Sequence, residues 1–398
     1  MKKKTVFIAL TAVFSVAICF IILGAISIDL MTALNLNAGL FGTLVMSFYI
    51  SCTIVQLFIG FLTDKIGYKP IAVLGFISAS LSIFLLAVAT TFTTALIACI
   101  IMGVGAMSLN TVGNTLIPIV LFKGKDQARA SNLGNAFFGF GYVLIPLFLT
   151  LIVKILNLQY SVALTIIAAL LLIFAFFVLF TVFPKPSIGY EFSKAIKLLF
   201  KPAILIAALA LFCYSSLEAT MGTWINKYME ELYIAKGIAA PTLKSGMVLS
   251  LFGLAMMIGR FVFSTVKDLT KKGAKVISLM SILSLFGILL MIFAKEPIVG
   301  IIAIFLIGMA FAPIFPNIVG VTYAKFDPSL YGSIFGIIYA IGMCGSTFLP
   351  KYIGDLSVGA TVQQSLPIAA IIIILLFIIS LFIGRIGNNK NNDEKYIS

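Results

Sequence analysis

The stretch Ile368-Ala-Ala-Ile-Ile-Ile-Ile-Leu-Leu-Phe-Ile-Ile-Ser-Leu-Phe382 decides the class of this chain. It carries no charge and no alternation of apolar with polar positions, so it reads as a membrane helix and not as a barrel strand. Ile301–Ile307 has the same character. The whole chain agrees: 398 residues, 62% hydrophobic, 10% charged, mean hydropathy +1.19. Soluble domains run at about 45–50% apolar and about 25% charged. So little polar surface cannot cover so much apolar volume in water. Backbone amides in hydrocarbon must also be paired internally, which leaves an all-α, polytopic membrane protein.

Twelve apolar stretches are expected as spans, at about 5–28, 40–62, 71–90, 94–122, 131–153, 161–183, 202–225, 245–266, 275–294, 298–323, 330–353 and 364–385. Such spacing leaves short loops and no soluble catalytic domain. Met1-Lys-Lys-Lys before an apolar run resembles a signal peptide without a small-residue cleavage site, and reads as an uncleaved first helix.

Basic residues orient the spans. Lys2, Lys3, Lys4, Lys65, Lys69, Lys123, Lys125, Arg129, Lys185, Lys194, Lys197, Lys201, Lys267, Lys271, Lys272, Lys275, Lys325, Arg385, Lys390 and Lys395 fall on one side. Lys154, Lys227, Lys236, Lys244, Lys295 and Lys351 fall on the other, and Arg260 stands at a helix end. This bias places both termini in the cytoplasm of a cell (inner) membrane. The net charge of +14 is therefore spent on orientation, and no nucleic-acid partner is expected.

Four segments follow: an N-terminal six-helix half at 1–183, a cytoplasmic linker at 184–201, a C-terminal six-helix half at 202–386, and a disordered tail at 387–398. In the linker, Phe192, Ile196 and Leu199 share a helical face while Lys194, Lys197 and Lys201 crowd the other, as in a helix lying on the inner leaflet.

Composition excludes several chemistries. The chain has no histidine, so His-based catalysis and His-ligated metals are impossible. Five scattered cysteines, Cys19, Cys52, Cys99, Cys213 and Cys344, suggest neither a disulfide framework nor a metal knot and read as small hydrophobes. No enzyme, metal or cofactor is expected. A channel is disfavoured too, since no ring of like charges or filter-type loop is present.

The loop after the second span reads Gly60-Phe-Leu-Thr-Asp64-Lys65-Ile-Gly67-Tyr68-Lys69-Pro70. It resembles the signature of the major facilitator superfamily, G-x-L-x-D-x-x-G-x-[KR]. Its glycines permit a tight turn and close helix approach. Asp64 can stabilise the positive end of a neighbouring helix or pair with a basic residue. Gly259-Arg260-Phe261 and Val266-Lys267-Asp268-Leu269 form a degenerate counterpart in the second half, or else an ordinary basic loop. Gly60, Asp64, Lys65, Gly67, Lys69, Arg260 and Asp268 are thus the candidate gating motif.

Further patches resemble the fucose–galactose–glucose proton symporter group. They are Gly42–Tyr49, Leu109-Asn110-Thr111 with Asn114, Ser131–Phe137, Phe212-Cys213-Tyr214, Gly259-Arg260-Phe261 and Phe315-Pro316-Asn317-Ile318. The resemblance implies the major facilitator fold, alternating access, and ion-coupled symport of a small polar solute, such as a sugar; a monomer is expected. Two departures stand out. Asn110 occupies the place of the group's membrane glutamate in helix four, and Cys99 occupies that of the drug antiporters' arginine. The alternative is an exporter of amphiphilic metabolites, drugs or siderophores on the same fold.

Of 13 acids, most lie in loops; the exceptions are Asp29, at the outer end of the first span, and Glu218, in the middle of the seventh. A carboxylate at that depth costs about 2.5–3.5 kcal/mol or more, which points to a functional, interior role. Both are candidates for the coupling ion, a proton or sodium, although Asp29 also reads as a helix cap in water. Asn110, Asn114, Asn132, Asn135 and Asn317, with Tyr49 and Tyr214, are the candidate substrate-binding residues, their amides suited to solute hydroxyls. Each asparagine also reads as interhelical glue, at about 0.6 kcal/mol. Gln56, Tyr339 and Trp224 could add polar or stacking surface.

The topology is directly testable. A cysteine replacing Lys194, in a chain stripped of native cysteines, should react with an impermeant thiol reagent from the cytoplasmic side only. Labelling from outside would overturn the orientation.

Overall fold

The computed structural model describes residues 2–36, 38–152, 156–184, 197–238, 241–357 and 360–383. Most of the expected linker helix, residues 185–196, and the tail at 387–398 lie outside the described residues. The helices are α1 Lys2–Ala25, α2 Ser27–Ala33, α3 Ala38–Ile66, α4 Tyr68–Ala87, α5 Phe92–Val120, α6 Gln127–Thr150 and α7 Tyr160–Leu179. They continue with α8 Pro202–Ala235, α9 Pro241–Thr265, α10 Leu269–Phe293, α11 Pro297–Phe311, α12 Ile314–Tyr323, α13 Tyr331–Leu356, α14 Val362–Ser365 and α15 Pro367–Ile383. Short 3-10 turns stand at Leu121–Gly124, Leu198–Phe200 and Pro328–Leu330, and no strand occurs among the described residues. Those residues contain 12 helical segments long and apolar enough to cross a membrane.

The stretch read as the tenth span is two helices, α11 and α12. Pro313 and Pro316 have no amide hydrogen to donate to the carbonyls four residues back, so the helical ladder fails there.

The described residues form two compact units. Unit 1 takes residues from Met1–Lys123, Gly134–Glu191 and Tyr331–Gly336; unit 2 takes those from Gly124–Leu133, Phe192–Leu330 and Ile337–Ser398. Helices α6 and α13 therefore each divide between the units near their N-terminal ends.

In unit 1, α5 packs against α1, α3 and α4, and α4 also packs against α7. Small residues allow these approaches: a Cβ on Gly105 would lie 2.5 Å from the Ala79 amide nitrogen. Serines at the crossings donate to carbonyls of the neighbouring helix, Ser51 to Ile100 at 2.7 Å and Ser80 to Ala168 at 2.7 Å. In unit 2, α10 packs against α11, α12 and α15, while α8 packs against α9, α12 and α15. The last carbonyls of α10 are satisfied by the Gln363 amide, which donates to Met291, Ile292 and Ala294 at 2.7–3.1 Å. Helix α8 continues past its apolar span, and there Glu231 accepts from the Val362 amide at 2.9 Å. Burial raises the pKa of Glu231, partly offset by that hydrogen bond.

Phe58, Phe176, Leu279 and Ile371 are each more than half exposed. In water each would forfeit roughly 1.5–3 kcal/mol of burial, a cost that acyl chains remove.

Candidate functional site

The signature loop lies in unit 1. Gly67 has φ 88°, a left-handed conformation that glycine adopts without a Cβ clash, and it turns the chain from α3 into α4. A Cβ on Gly60 would stand 2.2 Å from the Gly332 carbonyl oxygen, so glycine lets α3 and the start of α13 touch backbone to backbone. One helical turn later, the Asp64 carboxylate accepts from the amides of Gly332 at 2.9 Å and Ser333 at 2.6 Å, and from the Ser333 hydroxyl. Asp64 is 6% exposed. It thus caps the free first-turn amides of α13, where the helix dipole also favours negative charge. Lys69 donates to the Leu179 carbonyl at 2.7 Å, a cation at the C-terminal end of α7. Lys65 is exposed.

The second-half counterpart is built differently. Asp268 is left-handed at φ 55° and precedes α10, yet its side chain makes no capping bond and instead pairs with Lys271 at 3.8 Å. The first amides of α10 go to Asp126, which accepts from Leu269 at 3.1 Å and Thr270 at 3.0 Å. Sequence reasoning missed Asp126. An aspartate just ahead of an apolar helix signals only a cap for its own helix, which it also provides through the Arg129 amide at 3.3 Å.

Arg260 lies within α9, 2% exposed. Its Nη2 meets Glu218 of α8 at 3.4 Å, and its Nε donates to the Ala312 carbonyl at 3.3 Å. That carbonyl is the one left without its helical donor by Pro316. Tyr214 lies beside both charges, with the Phe311 and Phe315 rings at 5.8 and 6.1 Å. The Glu218 side chain is 33% exposed against 3% for Arg260, so the carboxylate is the reachable member of the pair.

The asparagines divide into two kinds. In unit 1, Asn114 donates to Asn110 Oδ1 at 2.9 Å, and Asn135 of α6 donates to Asn114 Oδ1 at 2.9 Å. Gln56 of α3 donates to Thr111 beside them at 3.3 Å. Asn110 Nδ2 and Gln56 Oε1 are buried with no hydrogen-bond partner, leaving one donor and one acceptor. In unit 2, Asn132 and Asn317 each donate to the carbonyl four residues back, Ala128 and Pro313. Asn317 Oδ1 would lie 3.2 Å from a Cβ on Gly273, at the crossing with α10. Tyr49 packs in a ring cluster with Phe20 and Phe48 at 6.0 and 5.2 Å. Asp29 lies in the first turn of α2 and lines a recess with Gln159, Tyr160 and Ser161.

Asp64→Ala would strip the acceptors from two buried amides and is expected to destabilise the protein by about 1–3 kcal/mol. Ser333→Ala, which removes only one donor, should cost less. Thermal unfolding in detergent measures both, and equal Tm values for wild type and Asp64→Ala would contradict the capping role.

Comparison with known proteins gives the setting of these residues. The Major Facilitator Superfamily profile matches residues 8–350. The Saccharomyces cerevisiae protein "Bypass of stop codon protein 6" is 25% identical over 185 residues, 46% of this chain and 37% of that relative, so the match spans little more than a third of it. The E. coli fucose:proton symporter FucP superposes with a TM-score of 0.75 at 19% identity, covering 95% of this chain and 99% of that one. The proton:xylose symporter XylE gives 0.75 at 15% identity, covering 96% and 94%. Likeness at such identities establishes the fold. With a family match across most of its length and twelve helical segments able to cross a membrane, the chain belongs to the Major Facilitator Superfamily and is a multi-pass membrane protein.

Proposed function

We propose that the protein is an ion-coupled symporter of a small polar solute, a sugar being the leading candidate, working by alternating access in a cell (inner) membrane with both termini cytoplasmic. The observation that carries this reading is the Glu218–Arg260 pair: an acid and a base at 3.4 Å inside apolar spans, with the acid partly exposed and the base buried. Arginine stays protonated, so the pair is neutral only while Glu218 is ionised. When Glu218 takes up a proton, Arg260 keeps the Ala312 carbonyl as a partner. The pair can therefore cycle between two states without leaving the guanidinium wholly unsatisfied. By its resemblance to the symporter group, Asn110 stands where that group carries a membrane glutamate, which leaves Glu218 and Asp29 as our candidate acids for coupling.

The solute is read from the amide chain of Asn110, Asn114 and Asn135 with Gln56. The unpartnered amide donor of Asn110 and the unpartnered amide acceptor of Gln56, on adjoining helices, suit the hydroxyls of a polar solute, which both give and accept. The two proton-coupled sugar symporters that share the fold support the same class.

Glu218→Gln keeps the shape and removes the titrating charge. It is expected to abolish gradient-driven accumulation in proteoliposomes while leaving counterflow, which moves no net ion. Asp29→Asn should be milder. Full concentrative uptake by Glu218→Gln would refute the coupling assignment.

A further inference from the structure

We infer that Asp126, and not Asp268, is the second-half counterpart of the signature Asp64: a positioning residue that holds the start of α6 on α10 and must release it in each transport cycle. The chemistry at the two sites is the same. Asp64 takes the first amides and a first-turn hydroxyl of α13. Asp126 takes the first amides of α10 and the Thr270 hydroxyl, the last at 2.8 Å. Only the separation along the sequence differs. Asp64 reaches forward to residues more than 260 positions later, and Asp126 reaches forward from the turn before α6 to residues more than 140 positions later.

Asp126 does more than cap α10. Because it also accepts from the Arg129 amide, a single carboxylate serves the N-termini of two helices. Around it the start of α6 is docked by two more bonds. The Ala128 amide donates to the Thr270 hydroxyl at 3.0 Å, and the Arg129 Nε donates to the Ser264 carbonyl, near the end of α9, at 2.7 Å. Helix α12 closes in as well: a Cβ on Gly320 would lie 2.2 Å from Ala128 Cα. These contacts explain why residues 124–133 belong to unit 2 while α6 from Gly134 onward belongs to unit 1. A few hydrogen bonds that hold the first turn of one membrane helix on another are contacts of the kind a rocking transporter can make and break. The anchor consists of a few hydrogen bonds at a helix end and not a large apolar surface, so ligand-sized free energies can release it.

The inference rests on membership of the transporter family and not on the choice of solute or ion. Spin labels on cysteines replacing the exposed Lys125 and Lys267 report the separation of the two segments in the idle, purified protein, with no substrate added. The parent should show mainly one short distance. Asp126→Asn and Asp126→Ala should raise a longer-distance population roughly fivefold, as loss of a charged cap implies. Thr270→Val should do so more weakly, and Asp126→Glu should restore the short distance. Transport by Asp126→Asn should change in kcat with KM unchanged, because the residue is not at the amide chain or the ion pair. Unchanged distances in both Asp126 variants would overturn the inference. So would a uniform loss of Tm with the distance distribution preserved, since that would make Asp126 a purely structural cap.

Discussion

The structure depends on one constraint: the first amides of a helix have no partner within it and must find an acceptor elsewhere. Where a helix starts at a water-facing loop, solvent can serve. At the starts of α10 and α13 the acceptor is a carboxylate from a distant part of the chain, Asp126 in one case and Asp64 in the other. Charge-assisted bonds to amides are stronger than neutral ones and gain further from the helix dipole. They are also few, local and directional. An arrangement of this kind can be stable at rest and still be dismantled without unpacking a core.

The same accounting governs the charged pair within the spans. Pro316 breaks the tenth span and orphans the Ala312 carbonyl, and Arg260 fills that vacancy while facing Glu218. An arginine in hydrocarbon would otherwise be costly. Here it serves the backbone of one helix and the carboxylate of another. The aromatic rings of Phe311 and Phe315 around Tyr214 keep the surroundings apolar, which strengthens the attraction of the pair.

Features carried by contiguous sequence were readable before the structure. Twelve spans follow from hydropathy, since each is set by its own residues. The superfamily was readable from Gly60 to Pro70, because turn glycine, acid and base sit within one loop. What joins distant segments was not. Asp126 gives no hint of Leu269 and Thr270. Asp268, which looked like the signature acid of the second half, turns instead to Lys271. The five asparagines looked like one constellation, yet only Asn110, Asn114 and Asn135 are linked, while Asn132 and Asn317 bond within their own helices. Amide side chains carry no pattern that separates a network from a local back-bond, because only the neighbouring helix decides it.

The most direct measurement is hydrogen exchange at the amides of Gly332, Ser333, Leu269 and Thr270, compared between the idle protein and protein turning over in proteoliposomes. If carboxylate caps on helix ends are the contacts that a transport cycle breaks, all four amides are protected at rest and lose protection during turnover. Protection that stays the same in both conditions would contradict the account.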